Sequence, residues 1–99
     1  MLENTMIDSH FLQDIISKKG GVLNVYFLGD SRDGAVFLED YAIDMAGNIP
    51  LLVGVVPPRG SAGGWADLLP MVIPLSSVLN IIWFESMDDY EARVLKAKT

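Results

Sequence analysis

Cysteine is absent from the 99-residue chain. That excludes a disulfide framework and any thiolate metal site. Histidine occurs once, at His10, so one subunit holds no multi-histidine metal centre. No apolar run reaches the ~18 residues of a membrane-spanning helix, so no membrane partner is expected. Glu3 and Asp8 stand where a secretory leader would be basic, so a leader is not expected either. Basic residues are the minority, 7 Lys and Arg against 13 Asp and Glu, for a net charge of −6. Such a chain repels phosphate as a whole, and nucleic acid binds it only at a local site. No nucleophile elbow is present, and Gly60–Gly64 (GSAGG) lacks the Lys-Ser/Thr of a phosphate loop. Together with the isolated His10, this predicts a protein that is not an enzyme and uses no cofactor.

What is there is apolar. Hydrophobic residues make up 51% of the chain, with two Trp, three Tyr and four Phe, which excludes a disordered segment. The length fits one domain, 1–99. Ile49–Val56 (IPLLVGVV) and Val78–Phe84 (VLNIIWF) are too apolar to leave one face in water. Either both faces are buried in a closed barrel, or a neighbouring chain covers one, or the chain is a compact monomer whose long loop folds over the exposed face.

Along the chain, 8–20 reads as a helix. Asp8 or Ser9 can cap it, Phe11, Leu12, Ile15 and Ile16 share a face, and Gly20-Gly21 stops it. Lys18 and Lys19 fall in its last turn, where cations suit the helix dipole. Val22–Leu28, Arg32–Glu39, Ala42–Met45, Ile49–Val56, Met71–Ile73 and Val78–Phe84 read as strand segments. Gly29-Asp30-Ser31 and Ala46-Gly47-Asn48 are turns, and Asp40-Tyr41 reads as a corner. Gly34, inside the second strand, marks a sharp bend. Pro57–Pro70, with three Pro and three Gly, is a long loop with a short helical turn at Trp65–Leu69. Residues 86–98 read as a second helix. Ser86 and Asp89 have capping-box spacing, acids lie in its first turn, and Arg93, Lys96 and Lys98 lie near its end.

The order of elements, with several residues, resembles the Sm-like family (Sm, LSm and Hfq proteins). Phe11-Leu12 opens the helix as a Phe-Leu pair does in the family's bacterial branch, and Val25-Tyr26 matches an Ile-Tyr in the first strand. Gly34 and Asp40 match the Gly of the bent strand and the Asp of its corner. Met71–Ile81 (MVIPLSSVLNI) aligns on the second motif without a gap. The likeness covers 10–46 and 71–84, with an insertion between. It implies a mostly β, five-stranded bent barrel of Sm-like, SH3-type form (22–84), with an N-terminal and a C-terminal helix. It implies a homo-oligomeric ring in which Met71–Ile73 pairs with Val78–Phe84 of a neighbour, since open strand edges invite partners.

By the same resemblance, single-stranded RNA or DNA would be held at Asp40, Tyr41, Asp44, Ser76 and Ser77. Tyr41 can stack a base there, and the serines can bond base edges. The other reading has Tyr41 packing on a strand and the serines satisfying turn backbone groups. Lys18, Lys19, Arg59 and Trp65 are auxiliary candidates. The two lysines can serve the helix end alone, and Trp65 can anchor its loop. Glu39, Asp40 and Asp44 can hold a divalent cation or stand as solvated corner charges, and no metal is expected. The family's second turn carries Arg-Gly or Lys-His, whereas this chain has Pro74-Leu75-Ser76-Ser77. Two functions therefore stand side by side. One is a non-catalytic nucleic-acid-binding or RNA-processing accessory. The other is an acidic assembly or protein-interaction module that keeps the ring without RNA. A cytoplasmic setting in a bacterium or phage is expected.

Overall fold

The computed structural model describes residues 9–28 and 34–98. Helix α1 spans Ser9–Ser17. Five strands follow: β1 Val22–Phe27, β2 Gly34–Ala46, β3 Ile49–Val55, β4 Pro70–Pro74 and β5 Val78–Phe84. Helix α2, Met87–Lys98, closes the described chain. All strand pairs are antiparallel, in the order β4-β3-β2-β1-β5. The chain is thus mostly β, with two flanking helices. The Asp8 cap, the Gly29–Ser31 turn and positions 32–33 of the second strand lie outside the described residues.

The sheet curls. Four strand spacings in a flat sheet would hold β4 and β5 about 19 Å apart. Yet only the 3-10 turn Leu75–Ser77 joins them. That link is too short for a flat sheet, so the two edges approach each other at this corner. Among the described residues they share no ladder, and the sheet stays open.

The curl has a local cause. β2 is one strand through the expected Asp40-Tyr41 corner, with a bulge there: Glu39 pairs Val55, and the register shifts before Ala42 pairs Val53. Asp40 takes a left-handed φ of 50°. An extra residue on one strand bends it and increases its twist. Gly54 on β3 lies opposite. A Cβ there would stand 3.0 Å from the Glu39 carbonyl and 3.1 Å from the Leu38 Cβ, so its bare backbone admits the bend. Gly34, the expected bend, is the first described residue of β2; a Cβ there would stand 2.9 Å from the ring of Phe27.

Alternation along the strands separates two layers. Leu23, Val25, Val36, Leu38, Leu52, Ile73, Val78 and Ile81 face inward, and Leu12 and Ile15 of α1 close that core. On the outer face of β1, β2 and β5 a smaller cluster of Val22, Phe37 and Phe84 packs under Met87 and Tyr90 of α2.

α1 is shorter than 8–20. It ends at Ser17, whose hydroxyl donates to the Asp14 carbonyl at 2.8 Å. Lys18 N–H bonds the Ile15 carbonyl at 3.1 Å, and Lys19, Gly20 and Gly21 turn left-handed. Lys18 and Lys19 therefore lie beyond the last helical turn. α2 starts as its sequence indicates. Ser86 Oγ accepts from Asp89 N–H at 3.0 Å, and the Asp89 carboxylate accepts from Glu85 N–H at 3.1 Å.

Candidate functional site

The residues implied by the resemblance fall in two places. Asp40 and Tyr41 sit at the bulge, beside the end of α1, in a cleft shared with Ile16, Lys19 and Ala42. Tyr41 is 9% exposed. Its hydroxyl donates to the Gly20 carbonyl at 2.8 Å and accepts from the Trp83 indole N–H at 3.0 Å. Burial raises its phenol pKa above the usual value, partly offset by the indole hydrogen bond. Its hydroxyl thus ties the turn that follows α1 to the sheet.

Asp44 lies further along β2, in register with Leu51, which in turn faces Pro74. It is exposed, and its carboxylate accepts from the Met45 N–H at 2.8 Å. Ser76 and Ser77 follow Pro74 at the same end of the sheet, in the 3-10 turn. Ser76 is exposed, and the Ser77 carbonyl accepts from Leu28 N–H at 2.8 Å. Within one chain, Asp44 and the serine turn share an end of the sheet, and Asp40 and Tyr41 do not join them. Among the described residues, no group of three or more His, Asp and Glu could hold a metal ion. The side chain of His10 lies outside the description.

Two auxiliary cations are engaged within the molecule. The Lys18 ammonium stands 4.6 Å over the Trp83 ring. Arg59 reaches from the long loop to α2, bonding Glu91 at 2.8 Å and Asp88 at 3.2 Å. The loop is well braced. Asp67 accepts from the Arg59 N–H at 3.0 Å and from the Ser61 hydroxyl at 2.8 Å. These bonds hold its carboxyl below the usual range. Leu68 N–H and Leu69 O bond the Val56 backbone, and Phe37 N–H bonds the Gly60 carbonyl at 3.0 Å. Around the turn expected at Trp65–Leu69, Asp67 N–H bonds the Gly64 carbonyl at 3.2 Å and Leu69 N–H the Ala66 carbonyl at 3.1 Å, and a 3-10 turn over Ala62–Gly64 precedes them.

This bracing displays apolar side chains. Trp65 is 69% exposed, Leu68 67% and Val72 58%. Leu68 adopts φ 70°, a costly conformation for a branched residue. A groove of about 440 Å³ runs beside β4, lined by Phe27, Leu28, Trp65, Met71, Val72 and Pro74 among others. It lies where the sheet fails to close. On the other edge, β5 exposes Ile82 at 40%. The groove escaped the sequence reading because its walls come from segments some forty residues apart. The one local signal was Trp65, Leu68 and Leu69 within an otherwise small and polar loop.

No helix among the described residues is long and apolar enough to cross a membrane. Compared with models of known families, with curated proteins and with solved structures, the chain matches none.

Proposed function

We propose that this chain is a non-catalytic Sm-like barrel subunit that assembles head to tail with copies of itself, as an acidic interaction module. One observation carries this reading: the sheet is open, with an apolar groove along the free edge of β4 and a second free edge on β5. Each chain thus offers two different edges. Pairing β4 of one copy with β5 of the next consumes both, covers Val72 and Ile82, and completes a barrel wall around the groove. Such a heterologous contact closes into a ring or runs on as a filament. Pro70 and Pro74 lack N–H groups, so the β4 donors available to a neighbour lie between them. That limits the pairing to a short register and protects the edge from indiscriminate growth.

The test is a charged side chain in the middle of that edge. Val72→Lys should leave the circular dichroism unchanged and reduce the solution mass to that of one chain. A Val72→Lys protein with the wild-type mass would remove the β4 edge from the interface.

A second reading, single-stranded nucleic acid held at Asp40, Tyr41, Asp44, Ser76 and Ser77, draws on the exposed Ser76 and on the exposed Asp44 at the same end of the sheet. It has less support than assembly. The net charge is −6, Tyr41 is buried, and Lys18 and Arg59 have internal partners. Anisotropy with labelled oligo(U) and oligo(A) at low salt separates the two. Binding that falls steeply with salt and is lost in Ser76→Ala with Ser77→Ala favours the nucleic-acid reading. Flat titrations leave assembly alone.

A further inference from the structure

α2 lies on the outer face of the sheet much as a bound peptide would. Met87 is buried against Val22 and Phe37. The Tyr90 ring, one turn on, meets Phe37 at 4.6 Å and Phe84 at 5.3 Å, both edge-on. Asp88 and Glu91 form a second pair one turn apart, and both bond the Arg59 guanidinium. The helix therefore reads as an apolar pair beside an acidic pair. Beyond Glu91, its residues up to Lys98 are exposed, apart from the half-buried Val94.

The two sides of this contact are built differently. The floor belongs to β1, β2 and β5, and Arg59 is fixed at its rim. Its φ is 69°, its N–H is bound to Asp67, and the adjoining Gly60 carbonyl is bound to Phe37. Gly60 itself fits against Pro57, where a Cβ would stand 2.8 Å from the proline ring. The helix packs on that floor through Met87 and Tyr90, meets the rim through the Arg59 guanidinium, and follows β5 after the two-residue connection Glu85-Ser86.

We propose that the Val22–Phe37–Phe84 floor with Arg59 at its rim is a docking site for an amphipathic helix with an acidic first half. α2 is its resident occupant, and a partner protein's helix of the same pattern binds by displacing it. The occupant is argued from the helix already seated there and from charge. Carboxylates complement Arg59, whereas a helix basic at those two positions would set like charges together. Because α2 is tethered, it competes at high effective concentration, and an incoming helix binds weakly until α2 is loosened.

The probe is a fluorescent peptide of residues 85–99, titrated into the full chain and followed by anisotropy. A chain carrying Tyr90→Ala holds its own helix less well, while the peptide keeps Tyr90. It should bind the peptide at least about tenfold more tightly than the wild-type chain. Adding Arg59→Ala to that chain should remove most of the gain, as should Asp88→Asn with Glu91→Gln in the peptide. The proposal fails if the Tyr90→Ala chain, with wild-type circular dichroism, binds no tighter, or if binding ignores Arg59. Should Tyr90→Ala not fold, Glu91→Gln in the chain loosens the helix at the rim without touching the aromatic floor, and the same comparison applies. Assembly through β4 and β5 is read by mass, so either idea can fail without the other.

Discussion

The Trp83 indole N–H donates to the Tyr41 hydroxyl at 3.0 Å, and that hydroxyl donates in turn to the Gly20 carbonyl at 2.8 Å. One phenol oxygen joins β5, the bulge of β2 and the end of α1. Lys18 covers the same indole from above. At the position that family likeness assigns to base stacking, the hydroxyl links three segments of the chain beside the bulge of β2.

Removing that hydroxyl should weaken this link without opening it. In Tyr41→Phe the ring still fills its place, and the Trp83 N–H still reaches the Gly20 carbonyl at 3.2 Å. The expected loss is ~1 kcal/mol of unfolding free energy, the usual net worth of one buried hydrogen bond. Urea denaturation followed by tryptophan fluorescence measures it.

The same phenol gives an alkaline signature. Burial raises its pKa, so the folded state favours the neutral form. Its stabilising contribution is complete below the ordinary tyrosine value of about 10 and is lost as pH rises through the raised value. Absorbance titration should show one phenol ionising late, and unfolding should become easier in that range. Tyr41→Phe should remove the late step.

Two glycines with left-handed φ make a matched comparison. At Gly21, φ is 73°, and a Cβ would stand 2.5 Å from the Phe84 carbonyl and 2.7 Å from the Trp83 indole nitrogen. Gly21→Ala should cost about 2–4 kcal/mol, from backbone strain and overpacking together. At Gly47, φ is 63° and nothing lies within 4 Å. Gly47→Ala should cost about 1–2 kcal/mol, from strain alone. Equal losses in thermal unfolding would contradict the packing assigned to Gly21.

The loop brace should give way on the acid side only. The Arg59 N–H and the Ser61 hydroxyl hold the Asp67 carboxyl low, so its bracing is present above the ordinary carboxylate range and is lost as pH falls through the lowered value. Asp67→Asn should speed amide exchange at Arg59 at neutral pH while leaving the Leu23 and Leu38 amides protected. Unchanged exchange at Arg59 would show that the loop is held by other means.

Much of the fold was legible in local pattern. Val22–Leu28 and Val78–Phe84 are dense in β-formers, and the structure has β1 at Val22–Phe27 and β5 at Val78–Phe84. Ser86 and Asp89 announced the start of α2 by spacing alone, and their hydrogen bond is present. What escaped was set by distant contacts. The Asp40-Tyr41 corner was readable and is where β2 bulges, but the close approach of Gly54 from the neighbouring strand was not. Lys18 suited a helix end by charge, yet Ser17 ended the helix first and the ammonium found Trp83, 65 positions along. Arg59 bonds residues about thirty positions away, which no local periodicity signals.

The central claim is that copies of this chain close one another's open sheets. Native mass spectrometry of the purified full chain tests it most directly. The expected result is one closed oligomer of defined copy number at micromolar concentration, reduced to single chains by Val72→Lys. A wild-type protein that stays a single chain across a wide concentration range would contradict it.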